Sequence, residues 1–269
     1  MKKLLAVLLL TAAITALSPI RADARSRTVS AAVNGRTITE SAVLSNGVTY
    51  VPLRSFLDAL GGFTVQWEGE TRSAVASGNG HYVAAPVGST DLHVNGNTLT
   101  AARATQILNG STYVPLRLLA EELGLYVRWD SAKQCAVVSG TLPAAYHSSE
   151  DLYWLSRINS AESRGEELAG QIAVGNVVLN RVRSEDFADS VKGVVFEVDS
   201  GYVQFEPVSN GTIYLEPTEK SVLAARMSLA GYNTVGKSLY FFSPALSTGS
   251  WIQSNRTYLT TIGCHRFYL

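Results

Sequence analysis

The chain has 269 residues, 46% of them hydrophobic and 16% charged. That suits one large or two small cored domains and is too apolar for a disordered chain. Its 22 basic residues are balanced by 22 acidic ones, which excludes a nucleic acid held by bulk positive charge. Two cysteines cannot build a zinc–cysteine or disulfide-dense framework, and the four histidines have no ligand spacing, so no metal and no cofactor are expected.

Met1-Lys2-Lys3 opens the chain, Leu4 to Leu17 is an apolar run of about 14 residues, and Ala22-Asp23-Ala24 is a small-x-small pattern. A membrane-spanning helix needs roughly 20 residues. The pattern reads instead as a secretory signal peptide over residues 1–24. Its removal takes Lys2, Lys3, Arg21 and Asp23, leaving 19 basic against 21 acidic groups, net −2. The mature protein is then expected outside the cytoplasmic membrane, secreted or in the cell envelope. An oxidising compartment would permit a Cys135–Cys264 bridge, but free, buried thiols are expected.

The next hundred residues repeat. Asn46-Gly47-Val48-Thr49-Tyr50-Val51-Pro52-Leu53-Arg54 returns at offset 63 as Asn109-Gly110-Ser111-Thr112-Tyr113-Val114-Pro115-Leu116-Arg117, and Trp67 returns as Trp129 at offset 62. Val33-Asn34-Gly35 likewise matches Val94-Asn95-Gly96. Two tandem copies of one module account for this. In each copy the Asn-Gly pairs predict tight hairpins, because both central residues of such a turn need positive φ. Thr-Tyr-Val predicts a short strand. Pro52 and Pro115 lead into short amphipathic helices over 54–60 and 117–123, which Gly61 and Gly124 end. The tryptophan strands then pair into hairpins, as with Lys133–Val138 in the second copy.

The two Thr-Tyr-Val-Pro-Leu-Arg blocks, each trailed by its tryptophan, resemble the copper amine oxidase N-terminal-like domain family over roughly residues 28–140. The resemblance implies a non-catalytic add-on of secreted proteins with a wall-targeting role, and no copper site. His81 and His93, between the repeats, are expected at the surface. Trp67 and Trp129 are expected in the core, with stacking on sugars as the alternative.

Residues 141–149 lack periodicity and mark a boundary, dividing the chain into domains 25–141 and 142–269. Ser148 or Ser149 can cap the helix that follows, with Glu150 and Asp151 at its positive end. Leu152, Leu155, Ile158 and Ala161 mark one face of it. Ser163-Arg164-Gly165 interrupts, and a second helix is expected from Glu166 to about Arg183. A third runs from Thr218 to Leu229. The rest is aromatic and irregular. The fold class is α+β, a small β-rich tandem-repeat domain followed by a mainly helical one.

Glu162 closes the apolar face of the first of these helices. Partial desolvation there would raise its pKa and keep a proton on it near neutrality, as a general acid requires. Pairing with Glu166 four residues on is disfavoured by Gly165, and an ion pair with Arg164 is the structural alternative. Glu162-Ser163-Arg164-Gly165-Glu166, Gly170-Gln171-Ile172-Ala173-Val174 and Val178-Leu179-Asn180-Arg181-Val182 resemble the cell-wall hydrolase family of spore cortex-lytic enzymes. Val203-Gln204-Phe205-Glu206-Pro207-Val208, Leu239-Tyr240-Phe241-Phe242-Ser243-Pro244 and Ile262-Gly263-Cys264-His265 continue the resemblance, which covers nearly all of residues 150–269.

The resemblance implies a lysozyme-like core and a lytic transglycosylase acting on the bond between N-acetylmuramic acid and N-acetylglucosamine, with Glu162 as its single catalytic acid and base. Glu166, Gln204, Phe205, Tyr240, Phe242 and His265 are the expected substrate-binding residues, with Trp251 a further lining candidate. Plain core packing or a structural hydrogen bond competes at each. A hydrolase would need a second carboxylate, for which Glu166, Glu167 and Glu206 are the candidates. Glu206 and Ser163 depart from the family pattern, and Glu206 bears on groove specificity. The expected partner is the glycan strand of peptidoglycan, with no nucleic acid and no membrane after signal cleavage. The alternatives are a non-catalytic wall-binding protein and an N-acetylmuramoyl-L-alanine amidase, which would call for zinc ligands.

Overall fold

A computed structural model describes residues 26–199 and 201–269. The expected signal peptide lies outside them. In chain order the first half comprises β1 (Arg27–Val33), β2 (Arg36–Thr37), β3 (Ala42–Ser45), β4 (Val48–Pro52), α1 (Leu53–Leu60), β5 (Phe63–Glu68), β6 (Ser73–Gly78) and β7 (His81–Pro86). It continues with β8 (Asp91–Val94), β9 (Asn97–Thr100), β10 (Gln106–Leu108), β11 (Ser111–Pro115), α2 (Leu116–Glu122), β12 (Tyr126–Asp130) and β13 (Cys135–Ser139).

The hairpin signals act as the physics of their turns requires. Asn34, Asn46, Asn95 and Asn109 lie at φ between 49° and 51°, and each following glycine lies between 80° and 86°. One sheet runs β10-β11-β4-β3-β1-β13-β12, with β2 on β1, and a second runs β5-β6-β7-β8-β9. The two copies meet through their equivalent strands. β4 and β11 pair antiparallel, Val51 opposite Val114, so a pseudo-two-fold axis passes between two equivalent residues. Pro52 and Pro115 end these strands in extended conformation and start α1 and α2. α1 buries Leu53, Phe56 and Leu57, and α2 buries Leu116 and Leu119, in the core of the repeat region.

The second half comprises α3 (Ser149–Ser163), α4 (Leu168–Val182), α5 (Val191–Val195), β14 (Val198–Asp199), β15 (Tyr202–Val203), α6 (Glu206–Asn210) and α7 (Glu219–Ala230). β16 (Tyr240–Phe242), α8 (Ser250–Asn255), β17 (Tyr258–Ile262) and β18 (His265–Tyr268) complete it. Ser148 and Asp151 form a reciprocal capping box on α3. Thr218 caps α7 through the Ser221 amide. Helices α3, α4 and α7 pack around one another. They approach tightly at Gly175, where a Cβ would lie 2.8 Å from Ser228 Oγ and 3.1 Å from the Asn159 amide group. β16, β18 and β17 form a small antiparallel sheet against α4.

The second sheet of the repeat region has no solvent face in its middle. Ala74, Ala76, Val83 and Ala85 pack inward on the repeat core. Their alternating neighbours Val75, Tyr82 and Ala84 pack on the helices of the other half, Val75 against Leu168, Ile172, Ala224 and Met227. Burial on both faces explains why β6 and β7 read as near-continuous runs of small apolar residues rather than as alternation. Hydrogen bonds reinforce this contact. The Gly96 amide donates to the Ala230 carbonyl at 3.0 Å, and the Leu168 amide donates to Glu70 Oε2 at 3.0 Å. Glu70 thereby supplies the first turn of α4 with an acceptor that its own N-cap, Glu167, does not provide.

This packing corrects several expectations. His81 and His93 are not surface residues; they are 1% and 9% exposed. Their strands are covered by the second half. His81 Nδ1 meets Asn95 Nδ2 at 2.9 Å, and His93 Nδ1 meets Thr98 Oγ1 at 3.0 Å. Trp67 is not a core residue: it is 50% exposed, because β5 is the outer strand of its sheet. Trp129 is half-buried. Both thiols are free, and Cys135 is buried, but Cys264 is exposed in the turn between β17 and β18.

Candidate active site

Glu162 occupies the last turn of α3. The helix stops there because Arg164 closes the final turn, its amide donating to the Ser160 carbonyl at 3.2 Å, and Gly165 follows. The side chain lines a cleft of about 260 Å³ together with Arg164, Glu206, Pro207, Asn210, Leu215 and Leu246. Glu206 and Pro207 open α6, so the start of that helix forms part of the cleft wall.

Burial pushes the Glu162 carboxyl up to about 7, and the negative charge of Glu206 adds to this while Arg181 opposes it. The carboxyl forms no hydrogen bond or salt bridge with another group among the described residues. The expected ion pair with Arg164 is therefore not made. At neutral pH such a group is poised between its acid and base forms, and it faces an open cleft.

Arg181, on α4, is the electrostatic neighbour that the sequence reading did not single out. It is 5% exposed. Its Nε donates to the Leu239 carbonyl at 2.8 Å, and its guanidinium lies 4.8 Å from the Phe187 ring, 5.2 Å from Phe205 and 5.5 Å from Tyr240. Only its place in the Asn-Arg-Val stretch of α4, on the helix face turned toward the aromatic C-terminal segment, signals it.

The remaining candidates divide by location. Phe205 is buried among α3, α4 and α5 residues, and Gln204 is exposed just ahead of α6. Tyr240 accepts a hydrogen bond at its hydroxyl from Arg256 Nη2 at 2.8 Å. Phe242 is buried and stacks on Tyr268 at 5.7 Å. None of these four lines the Glu162 cleft.

Glu166 lies in the α3–α4 loop and not at the start of α4, which begins at Leu168. Its carboxylate accepts from the Cys264 amide at 3.2 Å and lies 3.7 Å from His265 Nδ1. Any side chain at Gly263 would overlap that carboxylate. Glu166 and His265 thus tie the β17–β18 turn to the loop following Glu162. Burial pushes the His265 pKa down while Glu166 opposes this, and the Cys264 thiol is pushed up by its hydrogen bond to Glu166 and by that group's charge. Glu166 is thus engaged by the β17–β18 turn and does not line the Glu162 cleft. The second carboxylate beside Glu162 is Glu206. Among the described residues no group of three or more His, Cys, Asp or Glu could hold a metal ion.

Residues 165–268 match the cell wall hydrolase family, and residues 32–138 match the copper amine oxidase N-terminal domain. The first match begins three residues beyond Glu162. The chain is 38% identical over 121 residues to the spore cortex-lytic enzyme of Bacillus cereus, an alignment covering 45% of each. It is 37% identical over 103 residues to the cell wall hydrolase CwlJ of Halalkalibacterium halodurans, covering 36% of this chain and 70% of that protein. The catalytic domain of the germination-specific lytic transglycosylase SleB from Bacillus anthracis superposes at 37% identity and a TM-score of 0.42, covering 46% of this chain and 97% of that one. This chain thus spans under half the length of the B. cereus enzyme that it matches. Through its C-terminal half the chain belongs to the cell wall hydrolase family, with a copper amine oxidase N-terminal domain ahead of it.

Proposed function

We propose that the chain is a peptidoglycan-cleaving lytic transglycosylase, secreted by its leader and divided into a repeat domain over 25–141 and a catalytic domain over 142–269. The observation that carries the reading is the Glu162 carboxyl, half-sheltered in an open cleft, unpaired, and raised to about 7. Protonated Glu162 donates to the oxygen bridging N-acetylmuramic acid and N-acetylglucosamine, and the C1–O bond breaks toward an oxocarbenium-like state. The resulting carboxylate takes the proton of the muramoyl 6-hydroxyl, whose oxygen closes on C1. Glu162 regains its proton, no water is consumed, and a 1,6-anhydro end is left.

The placement of Glu206 on the same cleft favours one second reading. A carboxylate across from the acid can hold water, which would make the enzyme a hydrolase. Mass spectrometry of digested peptidoglycan separates the two. The transglycosylase reading expects anhydromuramoyl ends, 18 Da lighter than reducing ends by the loss of one water, roughly as the balance above requires. Reducing ends would shift the assignment to the hydrolase, and released peptides with intact glycan would overturn both.

A further inference from the structure

The tandem copies place two equivalent grooves on the repeat domain. One, of about 530 Å³, is lined by Arg117, Trp129 and Ala136 of the second copy and by Gly47 and Thr49 of the first. The other, of about 200 Å³, is lined by Arg54, Trp67 and Ala74 of the first copy and by Gly110 and Thr112 of the second. These five residues of each groove are repeat partners at offset 62 or 63, as are Leu116 and Leu53, while the larger groove also takes in Thr100, Ala101, Ala102 and Glu121 without counterparts in the smaller. Each groove therefore joins the helix and tryptophan hairpin of one copy to the Asn-Gly turn of the other, as the pseudo-two-fold axis at Val51 and Val114 dictates.

Both arginines bond to their tryptophan strand, and Arg117 in addition pairs with Glu121 at 2.8 Å. Arg54 Nη2 donates to the Val65 carbonyl at 2.8 Å, and Arg117 Nη1 donates to the equivalent Val127 carbonyl at 3.1 Å. Each guanidinium is thus anchored on its tryptophan strand beside an indole that is only partly covered. Half-exposed indoles fixed next to hydrogen-bond donors form an apolar face with polar edges, which suits the face and hydroxyl rim of a pyranose ring. Charge points the same way. The smaller groove has Arg54 and no acid in its lining. The larger has Arg117 and Arg128, with Arg27 6.0 Å from the Trp129 ring, against Glu121 and the neighbouring Asp130. Arg54 leaves the smaller groove positive, and in the larger, where Arg117 pairs with Glu121 and Arg128 with Asp130, Arg27 supplies the excess positive charge.

The smaller groove also leads toward the catalytic half. Its Gln66 lines a cleft between the two halves that Leu168 and Pro217 wall on the far side. Pro217 stands two residues from Leu215 of the Glu162 cleft.

We propose that these are two equivalent sites for one occupant, the carboxylate-bearing glycan strand of peptidoglycan, each stacking a sugar on Trp67 or Trp129. The proposal rests on the glycan substrate proposed above and deepens it. A repeating polymer engages both sites at once, so the pair acts by avidity.

The test is co-sedimentation with purified peptidoglycan, using the full chain carrying Glu162→Gln. Each of Trp67→Ala and Trp129→Ala is expected to bind roughly tenfold more weakly, and the double variant at least about a hundredfold more weakly. The tyrosine pair, Trp67→Tyr with Trp129→Tyr, keeps two stacking rings and is expected to restore most of the binding. Unfolding midpoints identify any variant that fails to fold. Titration of the unsubstituted Trp67 and Trp129 chain with soluble, peptide-stripped glycan strands is expected to shift its tryptophan emission. A folded double-alanine variant that binds like its parent, or an emission spectrum that does not move, overturns the proposal. Solubilisation of the wall by the Glu162→Gln chain would count against the catalytic reading instead.

Discussion

Replacing Glu162 by glutamine is expected to lower turnover on peptidoglycan by roughly 10²–10⁴-fold, the range that a positioned general acid contributes. Glutamine keeps the size and the partial burial of the side chain but cannot deliver a proton. Because no hydrogen bond or salt bridge of Glu162 is lost, the thermal midpoint should stay within a few degrees of the parent or rise, since an unfavourably buried ionisable group has been removed. Release of soluble muropeptides, followed beside a thermal melt, reads both quantities. Turnover comparable to the parent in a folded variant would remove Glu162 from the chemistry.

The second large effect concerns stability and lies in the other half of the chain. Ala84 is fully buried on the face of β7 that packs on the helical half. Ala84→Asp places a carboxylate in the apolar cluster of Tyr82, Leu155 and Leu229, opposite His93, whose own burial disfavours the charged form that could pair with it. Burying an unpaired ionisable group of this kind costs several kcal/mol, about 3–5 in the usual case. For a chain of this size that corresponds to a fall of roughly 10 °C in the midpoint. The two halves share this surface, so peptidoglycan turnover should be lost in the same thermal transition as the β signal. A midpoint within about 2 °C of the parent would show that the interface does not bind the two halves into one cooperative unit.

Much of the local structure was legible because it is set by neighbours in sequence. The Asn-Gly turns, the prolines opening α1 and α2, the Ser148 and Thr218 caps and the break at Arg164-Gly165 are all decided within a few residues. Glu162 could be singled out for the same reason, since the end of an apolar helix face predicts partial burial. What escaped depends on contacts between distant segments. Nothing near His81 or His93 announces that α7 and its flanks cover their sheet. Nothing near Glu70 announces that it reaches the start of α4, 98 residues further on. The same holds for Arg181, whose closeness to Glu162 follows from the packing of α3 against α4. Trp67 misled because an aromatic at strand spacing reads as core, whereas its strand turned out to be an edge. The repeat was plain in the sequence, but the pairing of β4 with β11, and hence the two matched grooves, was not, because a tandem duplication does not specify how its copies associate.

The central claim is that Glu162 holds a proton at neutral pH in an open cleft. Carbon-13 NMR of the labelled glutamate carboxyls, with the Glu162 signal assigned by its loss in the glutamine variant, measures this directly. The midpoint should lie near 7 and move down in Glu206→Gln, since the charge of Glu206 helps to raise it. Turnover should then fall as the pH rises through that midpoint and the acid form disappears. A Glu162 signal that titrates near the ordinary glutamate value of about 4.3 would contradict the account.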